Sequence, residues 1–203
     1  MLTIRNETQA DRQAVEEITR RAFYNIYAPG CVEHYLVHIM RDHPDFIPAL
    51  DLVAELDGQV IGNVMYTKAT LTGGDGTVKE ILTFGPVSIA PEHQRKGYGG
   101  QLLKHSFQRA AELGWDTVVI FGSPANYVGL GFKSCRRFNV CLVKELREGA
   151  LDGQSWVYRD SPVMAIDQEA ARRYDDTLEP MEKEYRPSQE EFYIMSHSSV
   201  AED

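Results

Sequence analysis

No apolar run in this 203-residue chain approaches the ~20 residues that cross a bilayer as a helix, which argues against an integral membrane role of that kind. Positive charge is also short: 21 Lys+Arg face 30 Asp+Glu, for a net charge of −9. Nucleic-acid binding rests mainly on phosphate neutralisation and is not expected of that balance. Cysteine is scarce. Cys31, Cys135 and Cys141 form an odd, sparse set, which suggests reduced thiols and not a disulfide framework. The opening Met1-Leu2-Thr3-Ile4-Arg5-Asn6-Glu7 lacks the basic start and apolar core of a secretory leader, so the cytoplasm is the expected location.

What is present is an ordinary globular composition, 43% hydrophobic and 25% charged. The acidity is uneven. Residues 151–203 hold 5 Lys+Arg against 13 Asp+Glu, whereas residues 1–150 are nearly balanced. Such a field mildly favours a cationic substrate such as an amine, although its commoner role is solubility. The length suits one domain, and the expected division is residues 1–144 as the main domain with 145–203 as an acidic C-terminal extension.

The most informative stretch runs from Val87-Ser88-Ile89 through Ala90-Pro91-Glu92-His93 to Gln94-Arg95-Lys96-Gly97-Tyr98-Gly99-Gly100. An apolar strand ends at Pro91, a basic glycine turn follows, and a helical period begins with Leu103, Phe107, Ala110 and Ala111. Glycines let a backbone approach a ligand closely, and the first N–H groups of a helix lack internal partners. With Arg95 and Lys96 beside them, they predict a phosphate cradle. The dinucleotide fingerprint fails because Leu102 stands where its third glycine is needed. The nucleoside-triphosphate loop fails because Gly100 is followed by Gln101 and Leu102 instead of Lys-Ser/Thr.

Taken in order, the chain predicts a strand at Thr3-Ile4-Arg5 and a helix capped by Thr8 with Asp11 and striped by Ala14, Val15, Ile18 and Ala22. A second helix is predicted from about Val32 to Arg41. Strands 52–56 and 59–66 flank an Asp57-Gly58 hairpin turn. Residues 67–80 read as a loop, and a strand follows from Glu80 to Ile89, with Pro86 expected at a bulge or an edge. The helix at 98–112 leads to the buried strand 117–121, completing a β-α-β unit, and Ser123-Pro124 opens a short helix. Residues 137–143 read as a strand, 155–158 as strand-like and 167–174 as helical. The acidic end, with Pro180 and Pro187, reads as a wrapped or mobile tail.

The stretch Gln94-Arg95-Lys96-Gly97-Tyr98-Gly99-Gly100 matches Q/R-x-x-G-x-G/A and resembles the pyrophosphate loop of the GNAT superfamily of acetyl-CoA-dependent N-acetyltransferases. Gly85-Pro86-Val87, Gly122-Ser123-Pro124 and Gly131-Phe132 make the chain similar to a bacterial subgroup of predicted acetyltransferases, over roughly residues 3–143. The resemblance implies an α+β fold: a mixed, mostly antiparallel sheet with flanking helices and splayed central strands. It implies acetyl-CoA as co-substrate, with its pyrophosphate on Gln94–Gly100 and its pantetheine along Val87, Ser88 and Ile89. Tyr127, four residues before Gly131-Phe132, takes the place of the tyrosine that protonates the departing thiolate. The family's asparagine seven residues earlier is here Ile120, and Asn126 is displaced from it. Glu80 is the nearest upstream carboxylate for the family's general base, with Glu33, His34 or a water chain as alternatives. The acceptor would be an amine of a small molecule, peptide or protein, and relatives often dimerise.

A second class is a non-catalytic acyl-CoA-binding module, which would have no need of a phenol at Tyr127. His34 and His38, four apart on a helix, have metal-ligand spacing, but neither a following Glu nor a Cys pair accompanies them, and no metal is expected. Cys31 with His34 could be drawn as a nucleophile pair, for which nearness in sequence is weak evidence.

Overall fold

The computed structural model describes residues 1–135 and 141–198. Strand β1 (Leu2–Asn6) pairs antiparallel with β2 (Leu52–Leu56), and β2 with the long β3 (Gln59–Gly73). A four-residue turn returns the chain as β4 (Val78–Ile89), antiparallel to β3. After helix α3 (Tyr98–Glu112), β5 (Thr117–Phe121) lies parallel to β4. Strand β7 (Cys141–Glu145) then separates β5 from the short β6 (Lys133–Ser134). The sheet order is thus β1-β2-β3-β4-β5-β7-β6, and β8 (Trp156–Arg159) joins the far end of β3. Every pairing is antiparallel except β4–β5. The fold is the expected mixed sheet.

Two apolar layers sandwich this sheet. On one face α3 buries Leu102, Leu103, Phe107 and Ala110 against Val64, Tyr66, Leu82, Phe84 and Val118. The predicted stripe shifts slightly: Leu102 is buried and Ala111 faces solvent. On the other face α1 (Arg12–Phe23) and α2 (Glu33–Met40) bury Val15, Leu36, Val37 and Met40 against Val53 and Met65. Alternation along β3 makes both layers from one strand, since successive side chains face opposite sides. Gly62 lets the two central strands meet. A Cβ there would stand 2.5 Å from the Ser88 carbonyl oxygen, inside contact distance.

Several predictions need correction. Residues 67–73 and 78–80 are strand and not loop. The alternating Thr67, Ala69 and Leu71 are buried, with Lys68 and Thr70 between them and Thr72 next, and β-branched residues at that spacing favour a pleated surface. The strand predicted at 137–143 is observed from Cys141 onward, and its earlier residues lie outside the described ones. Pro187 opens a helix, α6 (Pro187–His197), at a first-turn position where its missing N–H costs nothing. Before it, α5 (Gln168–Asp175) is capped by the Asp167 carboxylate, which accepts from Glu169 N and Ala170 N.

Residues 176–186 have no regular structure, yet they lie along α1. Arg20 donates to the Glu179 carbonyl at 2.8 Å, Tyr24 to that of Met181 at 3.0 Å and Asn25 to that of Glu182 at 2.9 Å. At the centre, the buried Arg20 guanidinium pairs with the buried Asp175 carboxylate at 2.8 Å. No helix among the described residues is long and apolar enough to cross a membrane.

Candidate active site

The site begins as a defect in the sheet. Along β3–β4 the register jumps from Val64↔Val87 to Tyr66↔Phe84, so two residues of β4, Gly85 and Pro86, oppose Met65 alone. Pro86 cannot donate to a ladder, which is why the bulge falls there as the sequence predicts. The Gly85-Pro86 peptide is cis. On its other side β4 pairs with β5 only at Leu82↔Val118. Beyond that point the strands part, and the β5-facing edge of residues 85–89 has no strand partner among the described residues. An unpaired edge is a template for an extended ligand that adds as a strand.

At the end of the gap lies the glycine turn. Arg95 (φ 58°) and Gly97 (φ 85°) both adopt the left-handed conformation, and Gly97 caps α3. Alternating handedness turns successive N–H groups toward one point. Gln101 is the first residue to bond back, to the Gly97 carbonyl at 3.1 Å. Among the described residues, the N–H groups from Arg95 to Gly100 have no protein acceptor. Apart from the adjoining backbone and chain neighbours, no described atom lies within 4 Å of where a Cβ would stand at Gly97 or Gly100. Packing within the chain therefore does not demand glycine at Gly100. The open space, the free donors, the helix dipole and the exposed Arg95 and Lys96 all suit a phosphate group.

The other predicted contacts fall into two kinds. Val87 and Ile89 are half-buried and pack on the α3 side, leaving their backbone at the gap. Gln94 donates its amide to the Ile89 carbonyl at 3.0 Å and so closes the end of the open edge. Ser88 points the opposite way. Its hydroxyl is buried with Thr19 and Asn63, at 3.1 Å from Thr19 Oγ1, so only its backbone reaches the gap. Tyr98 packs against the core, edge-on to His93.

Tyr127 ends the short helix α4 (Pro124–Tyr127) that follows β5. Its ring stands 5.9 Å from Phe84, the residue before the bulge, and 5.8 Å from Phe132. Gly122 makes room: a Cβ there would lie 2.6 Å from the Tyr127 ring. The phenol makes no hydrogen bond among the described residues. Burial, and next the nearby Tyr27 phenol, push its pKa above the ordinary tyrosine value. Tyr27 lies between α1 and α2 and is itself raised by burial and then by the Glu33 carboxylate. Glu33, half-buried at the start of α2, has its pKa raised chiefly by burial. Electrostatic influence thus links Tyr127 to Tyr27 and Tyr27 to Glu33, and burial, which periodicity cannot register, is what singles out Glu33.

Glu80 is exposed and pairs with Lys68 at 3.5 Å. It shares the Phe84 face of β4 but precedes Phe84 by four residues, ~13 Å along a strand. The structure therefore does not bring Glu80 and Tyr127 together. Nor do His34 and His38 converge. Buried His34 lies 3.2 Å from Cys31 Sγ and 3.3 Å from Asp175 Oδ1, whereas His38 stacks on Tyr174 and contacts Glu16. Cys31 and His34 do meet, but burial pushes the thiol up to about 12 and the imidazole down to about 4. Neither is poised as a nucleophile–base pair near pH 7. No cluster of three or more His, Cys, Asp or Glu among the described residues is arranged to hold a metal.

A GNAT acetyltransferase domain model matches residues 3–135. Among curated relatives, two uncharacterized N-acetyltransferases of Escherichia coli are each 30% identical. YjhQ aligns over 63% of this chain and 67% of its own length, and YhbS over 65% and 74%. The crystal structure of YhbS in complex with CoA superposes with a TM-score of 0.69 at 25% identity, covering 81% of this chain and 92% of YhbS. A GNAT-family acetyltransferase from Brucella melitensis, in complex with acetyl-CoA, shares the fold at a TM-score of 0.67 and 24% identity, over 81% and 98%. With the open β4 edge, the glycine cradle and the family match together, the chain belongs to the GNAT family of acetyltransferases.

Proposed function

We propose that this protein transfers an acetyl group from acetyl-CoA to an amine by direct attack within a ternary complex. The observation that carries the reading is the gap between β4 and β5, with an anion cradle at one end and the half-buried Tyr127 ring packed on Phe84, the residue before the bulge. The turn Gln94–Gly100 holds the pyrophosphate through the free N–H groups of Arg95 to Gly100 and the side chains of Arg95 and Lys96. The free edge of Val87, Ser88 and Ile89 holds the pantetheine arm by backbone hydrogen bonds. The relative YhbS and the Brucella enzyme, crystallised with CoA and acetyl-CoA, support that choice of co-substrate.

Acetyl-CoA supplies an activated thioester, and the chain's residues do the rest. A backbone N–H near Val87, next to the bulge, polarises the carbonyl. Tyr127 donates its proton to the leaving sulfur; its raised pKa keeps it protonated at neutral pH, as an acid must be. The acceptor must lose a proton. For a lysine-like amine this costs on the order of 4–5 kcal/mol at pH 7. Glu33 is the favoured base, because burial raises its pKa and its carboxylate acts on Tyr27, which in turn acts on Tyr127. Glu80 would have to act through a chain of waters. Phe192 of α6 lies 4.4 Å from Tyr27, so the acceptor side includes the C-terminal segment, which we treat as part of one unit with residues 1–144.

The test is calorimetric titration with acetyl-CoA, NADH and ATP, repeated on Gly99→Glu, together with CoA release in the presence of an amine panel. Selective acetyl-CoA binding that is lost in Gly99→Glu, with amine-dependent CoA release, is the expected result. Binding without release for any amine would favour a non-catalytic acyl-CoA-binding module. No binding would leave residues 94–100 as a mere corner of the chain.

A further inference from the structure

Two of the three cysteines face each other. In the β6–β7 ladder Lys133 pairs with Val143 and Ser134 with Leu142, so the next opposed pair is Cys135 and Cys141. The Cys135 N–H donates to the Cys141 carbonyl at 2.8 Å, which continues the ladder to that pair. Opposed residues in a hydrogen-bonded antiparallel pair have Cα atoms about 5.5 Å apart, with both side chains on one face. A disulfide needs a separation of about 4.4–6.8 Å. Cys141 is buried in the apolar cluster of Ala69, Leu71, Ile81 and Val119, and Cys135 packs at its margin, half-exposed.

We propose that Cys135 and Cys141 form a reversible thiol–disulfide pair, oxidised by a low-molecular-weight disulfide. The chemistry has a direction. The hydrogen bond between the two thiols lowers the pKa of Cys135 and raises that of Cys141, which burial raises further. The accessible Cys135 therefore attacks as the thiolate, and the buried Cys141 resolves. Cys135 thiolate attacks one sulfur of oxidised glutathione, forms a mixed disulfide and releases the first glutathione thiol. Cys141 gives up its proton, attacks the Cys135 sulfur and expels the second. Two protein thiols are oxidised and one disulfide is reduced to two thiols. Cys31 takes no part: it lies beside His34 between α1 and α2, on another element of the fold, with its thiol raised by burial. The pair also has a defined place. Cys141 is opposite Phe121 on β5, the residue before Gly122, against which the Tyr127 ring rests.

The test treats the folded full-length protein with oxidised glutathione, blocks remaining thiols with N-ethylmaleimide and maps tryptic peptides. Arg136 and Arg137 lie between the two cysteines, so cleavage puts them on separate peptides and a linkage appears as a joined pair. The expected result is a Cys135–Cys141 linked peptide, reversed by dithiothreitol, with Cys31 alkylated. In Cys141→Ser the reaction should stop at a glutathione adduct on Cys135, and in Cys135→Ser no internal bridge should form. A wild-type protein that accumulates only the glutathione adduct, or a bridge involving Cys31, would overturn the proposal.

Discussion

Replacing Gly122 by alanine probes the reaction centre through a single methyl group. The new Cβ would lie 2.6 Å from Cε2 of the Tyr127 ring and 3.3 and 3.5 Å from Cδ2 and Cζ. Ordinary contact begins near 3.4 Å, so the ring must move by about 1 Å, away from Gly122 and against Phe84 and Phe132. A displacement of ~1 Å in a catalytic group costs on the order of 10²-fold in rate. That corresponds to about 2.7 kcal/mol of transition-state stabilisation. Gly122 lies away from the glycine cradle, so the dissociation constant for acetyl-CoA should change little. Tyr127→Phe keeps the ring and removes a hydroxyl with no hydrogen-bond partner among the described residues. It should spare stability and lower kcat by about 10²–10⁴-fold. The decisive measurement combines the two. Once the phenol is gone, moving the ring has little left to spoil, so the double variant should be no slower than Tyr127→Phe alone. Multiplicative losses, or a Gly122→Ala enzyme with full kcat, would refute the assignment of Tyr127 as the acid.

Two further outcomes concern stability. Asp51 is buried beside Glu7, and burial followed by that neighbouring carboxylate pushes its pKa up to about 8. The folded state thus binds this proton more tightly than the unfolded state, so its stabilising contribution is full below about pH 4 and fades as pH rises toward 8. Asp51→Asn should flatten that slope in urea denaturation between pH 5 and 9, and a parallel slope would reject Asp51 as the group that holds the proton. Arg20→Ala leaves Asp175 buried and without its 2.8 Å partner, at a cost of about 3–5 kcal/mol. It also removes the bond to the Glu179 carbonyl, so limited proteolysis should cut residues 176–186 first; an unchanged cleavage pattern would mean the strap is held mainly by Tyr24 and Asn25.

The half of the molecule that handles the cofactor was legible because its signals are local. A glycine needed for a positive φ, a proline that cannot enter a ladder and a helix start that leaves donors free each occupy a few consecutive residues, so Gly97, Pro86 and the turn at 94–100 could be read directly. Strand β3 beyond Tyr66 was harder. Its Thr-rich alternation looks like a polar loop until Glu80, Leu82 and Thr83 stand opposite it. The Cys135–Cys141 pairing was invisible for the same reason, since register belongs to two strands and not to one.

The C-terminal segment was least legible, and the way it is held explains why. Arg20, Tyr24 and Asn25 bind main-chain carbonyls of residues 179–182, so at those positions the held segment contributes backbone and shows no side-chain pattern, whereas Asp175, Gln189 and Phe192 fasten the flanking helices from distant places in the sequence. The family match ends at residue 135, before α5 and α6, yet Tyr174 of α5 packs on His34 and Phe192 of α6 packs on Tyr27. A cofactor common to a family can be held by main-chain N–H groups and glycines, which tolerate sequence change elsewhere. On the proposed function an acceptor must be told apart from other amines, and the proposed acceptor side draws side chains such as Tyr27, Glu33 and Phe192 from distant parts of the chain. The 30% identical relatives align over less than two-thirds of this chain, and so they bear on the cofactor half far more than on the acceptor half.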